Sequence, residues 1–311
     1  MIYFSCNSKV VMQRLQDCIV RSSAVLYSEV TMEFESSEEF HKFVEKWADR
    51  YQLRLTPKQR FDLKAKGEPT FDLVINPSIY TTDEFTKEMI SLVREDPQIF
   101  ERDPDFDFLS ATEHKLPIKF FLFCNIDSSK IYDGSVDINH VNEILKKHVQ
   151  GAEKFSYVFT SPISYSNYEL VRLTQKRSIR DEFENTEKNS FDWTWRINSS
   201  SFGKTQKSGQ TLINRWNECI NKTEEEKRAY FEKHLQVLES YYGFRGVRKQ
   251  VGTLWAKERS LLKAKYGVKS KEYFRELNLS YIQRLKSIFP SNAETSEMIK
   301  HMQKIIRSAI N

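Results

Sequence analysis

Two spacings of apolar residues alternate along the first 173 positions of the chain. Short apolar runs at Ile2–Cys6, Phe71–Ile75 and Ile118–Ile126 indicate strands, and the last of these is apolar enough to be a central strand. Between such runs, apolar residues recur every three or four positions, as they do on one face of an amphipathic helix. The pattern predicts an N-terminal mixed α/β domain over residues 1–173.

Local start and stop signals refine this pattern. Ser36 with Glu39 three positions later has the form of a capping box and predicts a helix over about 37–51. Asp137 is predicted to begin another helix. The runs Phe155–Thr160 and Tyr168–Leu173 are predicted to form a final strand pair.

The remainder of the chain changes character at residue 174. Residues 174–209 are polar and basic around the aromatic segment Phe191–Trp195, which predicts a linker or a hairpin. From residue 210 onward the spacing is helical. A second capping box at Thr223 and Glu226 begins one helix, and Gly267 ends the next, while Ser270 and Thr295 begin two more. The sequence therefore predicts an α+β fold, in which a basic all-helical domain over 210–311 follows the mixed domain.

Composition adds a charge asymmetry to this division. The 311 residues carry a net charge of +5, and 39% of them are hydrophobic, with enough aromatic residues for a substantial core. Residues 1–150 carry a net charge of −6, so residues 151–311 carry +11. Such a difference between halves suggests that the C-terminal half meets a polyanion, although ordinary solvated helix faces rich in lysine are the alternative.

The segment Tyr241–Gly267 carries the most specific pattern in the chain. A Gly-Phe-Arg-Gly turn precedes a predicted helix, Val247–Tyr266, whose first turns are rich in Arg, Lys, Gln and Thr. This is the layout of a helix-turn-helix, in which a second helix enters the major groove and Arg or Gln contacts base edges. The alternative is a charged surface helix of a bundle. The candidate DNA-binding residues here are Arg245, Arg248, Lys249, Gln250, Thr253, Arg259 and Lys263.

Two further candidates, Lys204 and Lys207, lie close to Trp193 and Trp195 in the sequence. Cations interleaved with aromatic residues suit neutralisation of a nucleic-acid backbone together with base stacking. A solvated linker beside two core tryptophans is the alternative. Gly203-Lys204-Thr205 lacks the first glycine of a phosphate-binding loop, so no nucleotide cofactor is predicted.

A second set of candidate residues lies in the N-terminal half. Asp105 and Asp107 precede Glu113 and Lys115, an order that resembles the acidic residue and E-x-K of metal-dependent PD-(D/E)xK nucleases. Here, however, the E-x-K precedes the apolar strand instead of lying within it, which favours a surface loop. No histidine or cysteine spacing indicates a metal site, so no metal ligand is predicted.

The cellular setting follows from what the sequence lacks. No window approaches the roughly 18 apolar residues of a membrane span, and the first residues do not form a secretory signal. The expectation is a cytoplasmic protein without membrane contact. The function predicted is non-enzymatic binding of double-stranded DNA by the basic helical domain, in replication, partition or transcription, with the N-terminal domain supplying homodimerisation or partner contact. A protein-docking scaffold is the first alternative, and a metal-dependent nuclease is the second.

Overall fold

A computed structural model describes most of the chain. The described residues are 1–20, 24–77, 79, 83–103, 106–125, 154–173, 192–215, 223–267, 277–279, 282 and 294–310. The predicted helix at Asp137 and most of the one that Ser270 is predicted to begin lie outside these residues.

The chain divides into two compact units, and helices and strands occur in both, which confirms the α+β class. Unit 1 comprises Met1–Ser161 and Leu285–Asn311, and unit 2 comprises Pro162–Arg284. The strands are β1 Ile2–Phe4, β2 Ala24–Met32, β3 Thr70–Pro77, β4 Ile118–Asn125, β5 Ser156–Tyr157, β6 Ser164–Tyr165, β7 Tyr168–Leu173 and β8 Asp192–Ile197. The helices are α1 Ser8–Val20, α2 Ser37–Arg50, α3 Pro57–Ala65, α4 Glu84–Glu95, α5 Ile99–Arg102, α6 Ser199–Asn214, α7 Glu224–Glu239, α8 Arg245–Tyr266 and α9 Thr295–Ile310.

Unit 1 is built on a five-stranded sheet with the order β1-β3-β4-β2-β5. Strand β1 pairs with β3 in parallel, and the other neighbours are antiparallel. Strand β4 is central and buried along almost its whole length, as its apolar sequence predicts. Helices α2, α4 and α9 contribute to the same core as one face of the sheet. Helix α1 contacts β2 and β3 and lies outside that core cluster, so it covers the opposite face.

A buried carboxylate on β3 fixes the end of this sheet. Asp72 is 1% exposed, and its carboxylate forms a 2.9 Å ion pair with Arg60 of α3. It also accepts from the side-chain amide of Asn125 at 2.9 Å and from the ammonium of Met1 at 2.9 Å. Burial opposes ionisation of Asp72, but the nearby Met1 ammonium and Arg60 guanidinium outweigh it and hold the pKa of Asp72 below its usual value. The cluster links α3 to strands β3 and β4.

Unit 2 contains an antiparallel three-stranded sheet with the order β6-β7-β8. Helix α8 packs on the outer strand β8, and α6 contacts both α7 and α8. Thr223 and Glu226 form the predicted capping box of α7. Gly267 ends α8 in the left-handed conformation, with φ of 62°, which glycine adopts without steric cost.

These unit bounds differ from the boundaries that the sequence suggested. Residues 210–311 do not group together, because α9 buries Met298, Met302 and Ile306 in the core of unit 1. Unit 2 instead combines its helices with a sheet. Apolar spacing shows that a helix has a buried face, but not which partner covers it.

Two local predictions are also corrected. The predicted final strand pair is wrong, because β5 pairs with β2 in unit 1, whereas β7 pairs with β6 and β8 in unit 2. The segment 199–214 is a helix despite Gly203 and Gly209, since Asn198 caps it and Leu212 and Ile213 are buried. Within the segment predicted as a linker or a hairpin, the structure thus has β8, which pairs antiparallel with β7, and the first part of α6.

Candidate nucleic-acid interface

The first turns of α8 are fixed against the outer strand of the unit 2 sheet. The amide of Gly246 donates to the hydroxyl of Thr194 at 3.1 Å. An added Cβ at Gly246 would lie 2.5 Å from the carbonyl oxygen of Trp195, which is closer than real Cβ atoms approach. Only a glycine therefore lets the helix approach β8 this closely.

Gln250 completes this attachment one turn later. Its Oε1 accepts from the backbone N–H of Ile197 at 2.7 Å, and its Nε2 donates to the carbonyl of Ile197 at 3.1 Å. Gln250 was predicted to contact base edges, but both halves of its amide bind the strand. In this structure the residue holds α8 in position.

A buried polar contact joins the three helices of unit 2. His234 of α7 lies 3.0 Å from Glu258 of α8, measured from Nε2 to Oε2, and both side chains are buried. Gly209 of α6 packs directly against the Glu258 carboxylate, where an added Cβ would overlap it. Thr205 and Tyr241 add a hydroxyl contact of 2.6 Å between α6 and the α7–α8 turn. These contacts fix the positions of α6, α7 and α8 relative to one another and therefore the shape of the surface that they form.

A groove of about 510 Å³ opens between α6 and the N-terminal half of α8. Phe202 and Leu254 give it an apolar part. Its polar residues come from β8, α6 and α8, and they are Arg196, Gln206, Lys249, Gln250, Thr253 and Lys257. Among the described residues, none with a carboxylate lines this groove. The lining therefore combines cationic and hydrogen-bonding side chains with apolar ones.

Three of the residues predicted from the sequence meet in this groove: Lys249, Gln250 and Thr253. Arg245 is exposed one turn before Lys249, on the same side of the helix. Lys263 is exposed 14 positions after Lys249, about 21 Å away along the helix axis, and so lies far from the groove.

The other predicted residues lie elsewhere. Arg248 and Arg259 are half-buried on another side of α8, and the Arg259 guanidinium lies 5.9 Å from the centre of the Trp255 ring. Lys204 and Lys207 are exposed on α6, but neither lines the groove. The candidate DNA-binding residues predicted from the sequence therefore lie on several different faces of α6 and α8.

Six groove residues are absent from the set predicted from the sequence: Arg196, Phe202, Gln206, Gly246, Leu254 and Lys257. Lys257 lies eight positions after Lys249, so helical spacing alone signals that the two share a face. Arg196 and Phe202 carry no such signal, because they come from a strand and from a helix that the sequence did not predict.

The helix-turn-helix prediction is not confirmed. Helices α7 and α8 do follow each other across residues 240–244. In a helix-turn-helix, however, the first turns of the second helix face the bases. Here those turns dock on β8 through Gly246 and Gln250.

The residues considered for a nuclease site form loop contacts. Asp107 accepts from the backbone N–H and the hydroxyl of Ser37, at 2.8 and 2.6 Å. Lys115 donates to the carbonyl of Thr112 at 2.9 Å and pairs with Glu35 at 3.1 Å. Asp105 lies outside the described residues. Within the described part of the chain, no group of three or more His, Cys, Asp or Glu side chains is arranged to hold a metal ion.

No helix among the described residues has the length and apolar character needed to cross a membrane. Comparison of the chain with protein-family models, curated proteins and solved structures gave no match.

Proposed function

We propose that this chain binds nucleic acid through helices α6 and α8 of unit 2, with double-stranded DNA as the first target to test. The observation that carries the proposal is the charge on these helices. Together they contain nine lysine and arginine residues and one acidic residue, Glu258, which is buried. A surface whose exposed ionic groups are all cationic attracts a polyanion and gains free energy by releasing its counterions.

The groove supplies specific phosphate contacts. Lys249 and Lys257 are exposed eight positions apart on one side of α8, which is about 12 Å along the helix axis. Thr253 lies between them and offers a hydroxyl donor. Within the described residues, no carboxylate pairs with either lysine, so both charges are available to a ligand.

The proposed contacts position a nucleic acid more than they read its sequence. Phosphate contacts carry no direct sequence information, whereas base-edge contacts do. Gln250, the side chain best suited to read adenine, is bound to Ile197. We therefore expect binding with little dependence on DNA sequence and with a strong dependence on salt.

The test is a fluorescence anisotropy titration with a labelled duplex at several salt concentrations. Replacing both Lys249 and Lys257 by alanine should weaken binding and lower the slope of log K against log salt by about 1 per lost phosphate contact. The matched control replaces Lys58 and Lys64 of α3, two exposed lysines in unit 1, and should leave affinity and slope unchanged.

Two outcomes would overturn the proposal: no binding of either duplex or single strand at low salt, or a Lys249/Lys257 double variant that binds like the wild type. The predicted role of the N-terminal domain in dimerisation or partner contact stays a prediction. If no nucleic acid binds, protein docking becomes the function to test.

A further inference from the structure

We infer that the groove between α6 and α8 receives an unpaired nucleotide, with its base against Phe202 and its phosphate near the lysines that line the groove, Lys249 and Lys257. This inference rests on the proposed nucleic-acid binding and assigns one ligand chemistry to its central site. It implies that single strands bind with a contact that a regular duplex does not make.

The apolar part of the groove is the first argument. Phosphates gain nothing from Phe202 and Leu254, whereas the flat face of a base gains stacking and burial. Phe202 is half-buried in the first turns of α6, where the Asn198 cap holds the helix by accepting from Ser201 at 2.9 Å. Its ring is therefore presented from a fixed backbone.

The space beside this ring is the second argument. The volume of about 510 Å³ falls within the range of about 300–1,000 Å³ found for small-ligand sites. A nucleotide-sized group thus fits without rearrangement of α8, which its contacts with β8 hold in place.

The polar side chains that line the groove can contact both a phosphate and a base edge. Lys249 and Lys257 offer ammonium groups to a phosphate. Arg196 donates from Nε to Glu169 at 2.6 Å, which leaves the other N–H groups of its guanidinium for an acceptor. Gln206 and Thr253 offer donors and acceptors to a base edge without a fixed pattern. This mixture favours a nucleotide over a purely anionic ligand.

Base pairing decides which nucleic acid can use the site. In a duplex each base is stacked between its neighbours, so only its edges and the backbone are accessible to a protein. A base of a single strand can turn out and stack on an aromatic side chain. The inference therefore predicts that Phe202 contributes more to single-strand binding than to duplex binding.

The experiment compares a labelled oligothymidine with a duplex of the same length, using Phe202→Ala, Phe202→Leu and Phe202→Trp. Loss of one base stack should weaken single-strand binding by about 5-fold to 100-fold. Phe202→Leu keeps an apolar side chain without the aromatic face, so it should weaken the same binding. Phe202→Trp should retain it, and for Phe202→Ala and Phe202→Leu the loss of duplex affinity should be smaller than the loss of single-strand affinity. Thermal unfolding of each variant identifies any loss of folded protein.

The outcomes separate this inference from the proposed function. If wild-type protein binds duplex but not the single strand, or if Phe202→Leu binds the single strand like wild type, the inference fails and the proposed function stands. The inference also fails if Phe202→Leu weakens both ligands equally. If the Lys249/Lys257 double variant binds both ligands normally, the proposed function itself fails.

Discussion

In the described part of unit 1 the best-buried charge is enclosed by opposite charges, whereas the exposed charges of α6 and α8 in unit 2 are all cationic. Asp72 binds Arg60 and the Met1 ammonium inside unit 1. On the surface of the same unit, Arg54 pairs with Glu45 and Lys119 pairs with Glu29. In unit 2, Lys249 and Lys257 have no carboxylate partner among the described residues. Charges of unit 1 thus contribute to its fold, and these charges of unit 2 are available for binding.

The largest expected effect comes from the buried carboxylate of unit 1. Asp72→Asn should lower the free energy of unfolding by about 3–5 kcal/mol, because it leaves Arg60 without its buried counter-ion. Urea unfolding measures the loss, and hydrogen exchange assigns it to peptides of unit 1. The control is Asp62→Asn, an exposed residue of α3. DNA affinity of the folded variant should match the wild type, and equal destabilisation by both substitutions would contradict the special role of Asp72.

A smaller effect is expected where α8 meets β8 in unit 2. Gly246→Ala places a methyl group 2.5 Å from the Trp195 carbonyl, and displacing the helix should cost about 1–3 kcal/mol. Gly252→Ala in the same helix meets no atom within 4 Å and should stabilise by about 0.5–1 kcal/mol. Thermal unfolding compares the two. Similar melting temperatures would mean that the close approach at Gly246 is not required.

The smallest effect is expected from mild acid acting on unit 1. The pKa of Asp72 is lowered in the folded state, so its stabilising contribution is present above the ordinary aspartate pKa and is lost as pH falls through the lowered value. At about pH 4, most folded molecules still have an ionised Asp72, so only the onset of this loss of stability should be visible there. Hydrogen exchange at decreasing pH, corrected for the intrinsic rate, measures it in unit 1 peptides. An Asp72→Asn protein should lack this part of the pH dependence; an unaltered profile would contradict the assignment.

Most local structure of unit 1 was predictable, because its apolar patterns are strong and its caps are conventional. The central strand at 118–125 and the α2 helix that Ser36 begins follow directly from such signals. The assignment of α9 to unit 1 was not predictable, since apolar spacing identifies a buried face without naming its partner. The prediction that β5 and β7 form a strand pair was wrong for the same reason, because apolar spacing does not identify the strand with which another strand pairs.

For the groove, the sequence identified the helix and its cations but not their roles. Lys249 and Thr253 lie where a ligand can meet them. Gln250 carries the same chemical signal, yet its amide is used by Ile197, because the side chain and the strand happen to be adjacent in the fold. Phe202 was missed because α6 contains two glycines, which obscured its helical pattern.

The contact between Gln250 and Ile197 also bears on self-association. An outer strand presents backbone groups that can pair with a strand of another molecule and begin aggregation. At Ile197 of β8, a side-chain amide donates and accepts as a neighbouring strand would, and Gly246 covers the carbonyl of Trp195. The same two residues that orient α8 therefore protect this border of the sheet from strand addition by a second molecule.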